Sequence, residues 1–117
     1  MITTSEARVV NAGPVDRIPL GEGRNVEVAG EEIAVFRTRA GELYAVQATC
    51  PHRGGPLADG IVGGNRVVCP MHSYTFDLAT GEPTREGCPA LRTYRVTTSS
   101  AGEILLTVPA PAAIAAG

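Results

Sequence analysis

The sequence predicts an all-β domain, and three observations carry that expectation. Apolar residues come in short runs separated by turn residues. No segment keeps a 3.6-residue apolar period for about ten residues or more. Glycine and proline are abundant, 14 and 9 in 117 residues, which suits many turns between short elements. About eight to ten strands are expected, arranged as a small sandwich or barrel.

Taken in order, Val9-Val10 and Asn25–Val28 are the shorter candidates. Glu32–Thr38 holds the run Ile33-Ala34-Val35-Phe36, and Leu43–Ala48 follows it. Arg39-Ala40-Gly41-Glu42 joins these two as a hairpin turn. Arg66–Cys69 comes after Gly63-Gly64-Asn65, a second hairpin signal. Tyr74–Leu78 leads into Ala79-Thr80-Gly81-Glu82. Leu91–Thr97 and Glu103–Val108 flank Ser99-Ser100-Ala101-Gly102. Residues 8–108 read as one domain, with residues 1–7 expected to be flexible. The tail, 109–117, has two prolines and no periodic apolar face, and is expected to be flexible as well.

Hydrophobic residues make up 44% of the chain and charged residues 19%, as in an ordinary globular protein. The ten basic residues, all arginine, stand against twelve acidic ones, for a net charge of −2. No basic face announces a nucleic-acid binder. No apolar run approaches the roughly 18–20 residues of a membrane span. Met1-Ile2-Thr3-Thr4-Ser5-Glu6 has neither the basic nor the apolar part of a signal peptide, so a cytoplasmic location is expected. Gly21-Glu22-Gly23 is a lone G-x-G without the third glycine of a dinucleotide fingerprint, and nucleotide binding is not expected there.

The rarest residues are the most informative. The chain has three Cys and two His. Cys50-Pro51-His52 is followed, sixteen residues later, by Cys69-Pro70-Met71-His72. Both histidines and two of the three cysteines therefore fall in two short motifs, each at the end of an expected strand. A hairpin between them brings the two tips together as one four-ligand site. An odd cysteine count without a secretory signal argues against a disulfide framework. Thiolate with imidazole suits zinc or an iron–sulfur cluster. Tetrahedral zinc sites usually pair Cys with Cys and His with His. Here each loop offers one of each, which fits a dinuclear centre in which a loop sends its Cys to one metal ion and its His to the other.

These two motifs, with Gly54-Gly55-Pro56-Leu57 after the first, resemble the Rieske [2Fe–2S] proteins, and the resemblance covers residues 8 to 108. It implies stacked antiparallel sheets with a small cluster-binding subdomain, about residues 48–90. It also implies that Cys50 and Cys69 bind one iron while His52 and His72 bind the other. Two ferric ions and two sulfides sum to about +2, which two thiolates bring to zero. Adding an electron to a neutral site costs less than adding one to an anionic site. Histidine ligation accordingly raises the potential, to roughly −150 to +300 mV, and makes it pH-dependent in the alkaline range. High-potential members carry an extra cysteine in each loop, where this chain has Gly55 and Met71. They also place Ser and Tyr hydroxyls near the cluster, where it has Tyr74 and Phe76. A ferredoxin-type, low-potential cluster is expected.

Around the ligands, Gly54, Gly55 and Pro56 are read as turn formers that admit backbone amides to the sulfides. Pro89 resembles the proline of a loop that covers the cluster. Arg53 and Tyr74 suit either a face toward a redox partner or a bland solvated or packed role, and Cys88 reads as a packed thiol outside the ligand set. Rieske oxygenases need a second iron held by two further histidines and a carboxylate, and both histidines here are already used. The chain is therefore expected to pass electrons rather than to catalyse alone. The small subunit of an NAD(P)H-dependent nitrite reductase is the first expectation. The runs Cys50–Val62 and Cys88–Tyr94 suggest it, and its large subunit would carry flavin and sirohaem. The alternative is the soluble ferredoxin of an aromatic-ring dioxygenase, moving between a reductase and an oxygenase. A structural zinc module is the non-redox reading.

Overall fold

The computed structural model of the chain describes residues 8–28, 30–50, 55–70, 74–84 and 89–108. Among them are nine strands: β1 (Arg8–Pro14), β2 (Glu22–Val28), β3 (Glu31–Arg37), β4 (Leu43–Gln47), β5 (Ile61–Gly63), β6 (Arg66–Val68), β7 (Thr75–Asp77), β8 (Thr93–Thr98) and β9 (Glu103–Val108). Two 3-10 turns, Val15–Arg17 and Leu57–Asp59, complete the regular structure. Six strands form one curved sheet in the order β1-β9-β8-β4-β3-β2, and three form a second, β5-β6-β7. Every pairing is antiparallel. The all-β class is thus as the sequence predicts. Among the described residues no helix is long and apolar enough to cross a membrane. The expectations for 1–7 and 109–117 lie outside the described residues.

Turn chemistry accounts for the connections. Between β3 and β4 the Thr38 N–H donates to the Glu42 carbonyl at 2.8 Å, and Gly41 takes φ +89°. After β7 the Asp77 carboxylate accepts the N–H groups of Ala79 and Thr80, an Asx-type turn. The Ser99 hydroxyl does the same for Ala101 and Glu103. The strand that the sequence did not announce is β5. With three residues between Gly60 and Gly64 it is too short to show a period, and its Ile61 is 73% exposed.

β3 organises the packing because both of its faces are buried. Ile33 and Val35 point into one apolar cluster with Ile18, Ile104, Leu106 and Val108, inside the curve of the six-stranded sheet. Ala34 and Phe36 point the other way, into a cluster with Leu57, Val67, Phe76 and Leu78 that joins the two sheets. A continuous apolar run is what a strand covered on both sides requires. Phe36 and Phe76 are wholly buried. Each contributes about 1.5–3 kcal/mol through removal of its ring from water.

The topology also explains where the second sheet comes from. β4 and β8 are neighbours in the large sheet, paired at Ala45–Tyr94 and Val46–Thr93. All of β5, β6 and β7 lies between them in sequence, so the small sheet is an excursion that leaves and re-enters at adjacent strands. Gly60 seats its first strand, because a Cβ there would collide with the Val68 carbonyl oxygen. Nothing stands within 4 Å of a Cβ built at Gly63. Gly60→Ala is therefore expected to destabilise by about 1–3 kcal/mol, as overpacking does. Gly63→Ala should stay within about 0.5 kcal/mol of the wild type. Urea denaturation of the two variants side by side checks the difference.

Candidate metal centre

Cys50 lies three residues beyond β4, and Cys69 follows β6 directly. Each begins a loop closed in the same way. The Cys50 N–H donates to the Gly55 carbonyl at 2.8 Å, and the Cys69 N–H donates to the Tyr74 carbonyl at 2.7 Å. Both closures span five positions. Below the first, Thr49 bridges Pro56 and the Leu57 N–H donates to the Ala48 carbonyl at 3.0 Å. Below the second, Val68 pairs with Thr75. Two hairpin ends of like construction result, one growing from the large sheet and one from the small. In the sequence each cysteine is followed by proline, Pro51 and Pro70, which supplies no N–H to compete for the closing carbonyl.

The side chains of Cys50 and Cys69 are 2% and 1% exposed and share the buried layer of Phe36, Leu57 and Phe76. Both are thiols outside any disulfide. Sulfur donors of this softness select zinc, copper(I) or an iron–sulfur cluster over hard cations. Of the other expected site residues, Gly55 is buried and lends its carbonyl to the first closure. Tyr74 lends its carbonyl to the second, with its ring half-buried against the same layer. Pro89 is exposed, two residues before the buried Leu91. Phe76 is fully buried and has no hydroxyl to offer. His52, Arg53, Gly54, Met71, His72 and Cys88 lie outside the described residues. Among the described residues no three His, Cys, Asp or Glu side chains gather around a possible metal ion.

The described residues on either side of 85–88 are both fixed by hydrogen bonds. Before it, Pro83 bridges Phe76 and the Thr84 N–H donates to the Thr75 carbonyl at 2.9 Å. After it, the Leu91 N–H donates to the Gly81 carbonyl at 2.7 Å, and Leu91 enters the layer that holds both cysteines. Gly81 takes φ +82°, and a Cβ there would strike the Leu91 carbonyl oxygen. Sequence reading gave Gly81 only as part of a turn and Leu91 only as the start of a strand, since neither carries chemistry of its own. The only available signal was the glycine of the Ala79–Glu82 turn.

The outer face at Arg92 and Tyr94 is polar. The Glu31 carboxylate accepts the Tyr94 hydroxyl at 2.7 Å and an Arg92 guanidinium N–H at 3.0 Å. Partial burial, and then the hydrogen bond to Glu31, hold the Tyr94 phenol above its ordinary pKa, so it remains a donor. Burial and the nearby Glu42 raise Tyr44 in the same direction.

Comparison with known proteins places this geometry. The family model of the Rieske [2Fe–2S] domain matches residues 8–97. Over 73 residues the chain is 37% identical to the ferredoxin component of the naphthalene 1,2-dioxygenase/salicylate 5-hydroxylase systems of Ralstonia sp. That match covers 62% of this chain and 69% of its relative. Over 54 residues, 46% of its length, it is 48% identical to 4β-methylsterol monooxygenase of Methylococcus capsulatus, of which it spans only 15%. The solved ferredoxin of carbazole 1,9a-dioxygenase from Nocardioides aromaticivorans is 30% identical with a TM-score of 0.77, covering 88% of this chain and 97% of that one. A Mycobacterium tuberculosis chain named as an NADH-dependent nitrite reductase small subunit superposes with a TM-score of 0.82 over 90% of this chain and 98% of its own. At 24% identity that likeness is one of fold. The family match runs through both cysteine loops and the strands that carry them, and the chain belongs to the Rieske [2Fe–2S] domain family.

Proposed function

We propose that Cys50, His52, Cys69 and His72 hold a [2Fe–2S] cluster, and that the chain passes single electrons as the ferredoxin of a ring-hydroxylating oxygenase system. The observation that carries the first part is the pair of like loops, each opening on a buried cysteine and each holding a histidine in its sequence. That donor set, two thiols from one buried layer and two imidazoles two and three residues beyond them, fits a cluster of this type. Such a cluster supplies one-electron oxidation and reduction. The chain's own residues do the rest. Leu57, Val67 and Phe76 keep water from the sulfur side of the loops. The closing bonds from Cys50 to Gly55 and from Cys69 to Tyr74 hold the backbone while charge changes. His52 and His72 are the proposed route of entry and exit.

The choice of partner departs from the first expectation drawn from sequence. Identity of 37% to a dioxygenase-system ferredoxin, and of 30% to a solved one, supports the ferredoxin reading above the nitrite reductase reading. The second reading keeps support from the near end-to-end match in fold with the Mycobacterium tuberculosis chain. It also keeps the run Cys50–Val62.

Three expected outcomes test these readings. Purified protein should contain about two irons and two sulfides and give a Rieske-type EPR signal after dithionite, lost in His52→Ala and in His72→Ala. One zinc without sulfide removes the redox function. The midpoint potential should fall near the lower end of the Rieske range, about −150 mV, because Phe76 brings no hydroxyl to the site. A value above about +200 mV overturns this. A shuttling ferredoxin should bind its oxygenase weakly, with binding that weakens as salt rises. Co-purification with a flavin and sirohaem subunit through high salt would give the second reading precedence.

A further inference from the structure

Gln47 is the last residue of β4, three positions before Cys50. Regular pairing of β4 with β8 ends one step earlier, at Val46 and Thr93. Beyond that step the Gln47 N–H still donates to the Arg92 carbonyl, at 3.0 Å. In a continuing antiparallel ladder the Arg92 N–H would return to the facing backbone carbonyl. Here the Gln47 side chain receives it, with Oε1 accepting at 2.8 Å. The other end of the same amide, Nε2, donates to the Thr49 carbonyl at 2.8 Å.

One side chain thus ties the strand leaving for the first cysteine loop to the strand returning from segment 85–90. Each strand carries a buried residue next to the tie. Cys50 follows Thr49 and Leu91 precedes Arg92, and both lie in the layer that holds Cys69. The tie needs an acceptor toward Arg92 and a donor toward Thr49, which a carboxamide supplies and a carboxylate does not. We propose that Gln47 is a positioning residue for the metal centre, setting the spacing between the Cys50 loop and the segment that delivers Leu91 beside it. The inference rests on the reading that Cys50, His52, Cys69 and His72 hold the cluster.

The test compares full-length wild type, Gln47→Ala, Gln47→Glu and Tyr94→Phe, each loaded with cluster. Tyr94→Phe, on β8, removes the hydroxyl that donates to Glu31 and accepts from the Arg92 guanidinium, and leaves both backbone partners of the Gln47 amide in place. Iron release to a chelator should be about fivefold faster or more in both Gln47 variants, the scale of one or two lost hydrogen bonds. Their reduced EPR g values should shift, while Tyr94→Phe matches the wild type in both measurements. In the metal-free chain, amide exchange at Arg92 should accelerate in Gln47→Ala and stay slow in Gln47→Glu, which keeps the acceptor. Wild-type iron release and g values in the Gln47 variants overturn the proposal. Equal changes in Tyr94→Phe overturn it too, because general loosening of the sheet then suffices. A wild-type protein without iron and sulfide sinks the underlying reading and the proposal built on it. Arg92 exchange in the metal-free chain then decides whether the tie itself exists.

Discussion

The antiparallel pairing of β4 with β8 is the constraint on which the candidate centre depends. Their ladder is short, in register at Ala45–Tyr94 and Val46–Thr93. Everything that carries the site leaves the large sheet beyond one of them and returns beyond the other. An excursion whose ends are held side by side has a closed path, so its loops cannot drift apart from the sheet. Loop closure of this kind grows in cost only slowly with length. The long path between Gln47 and Thr93 is therefore tolerable provided its interior packs. It does so through Leu57, Val67, Phe76 and Leu78 against Ala34, Phe36 and Val46.

The two cysteine loops belong to different sheets. The first grows from β4 and the second from β6 and β7, so their relation is set by how the two sheets pack. That places the geometry of the centre in the hands of residues without chemistry, Phe36 and Phe76 foremost. A close-packed interior transmits displacement rather than absorbing it. The double burial of β3 extends the dependence further. Ile33 and Val35 anchor the same strand in the other cluster, against Ile104 and Leu106. Stability of the large sheet and placement of the buried thiols are thereby mechanically linked.

How much of this could be read in the sequence follows from the range of each interaction. β9 was legible end to end because Ile104, Leu106 and Val108 alternate with less buried neighbours and a Ser-Gly turn precedes them. Cys50 and Cys69 were legible because rare residues at short spacing stand out against composition. β5 was not, since three residues between glycines carry no period. Gln47 was not either. A polar residue closing a strand is unremarkable until Arg92, 45 positions away, is seen to face it. The choice of partner was not legible for a related reason. The ligand motif is common to ferredoxins and reductase subunits, while partner choice is written in surfaces that the motif does not encode.

Electron transfer asks a protein to change charge by one unit without rearranging. Backbone closures on both cysteines, an apolar layer beneath their sulfurs and a carboxamide bracing the strand beside them all act toward that end. Each replaces a solvent contact, which would reorient as charge changes, with a fixed dipole or an apolar wall that does not. The same logic explains why a domain of this family spends three strands and their loops on a small excursion. What the excursion holds constant is the surroundings of two buried sulfur atoms, in the layer that Ala34 and Phe36 enter from one face of β3.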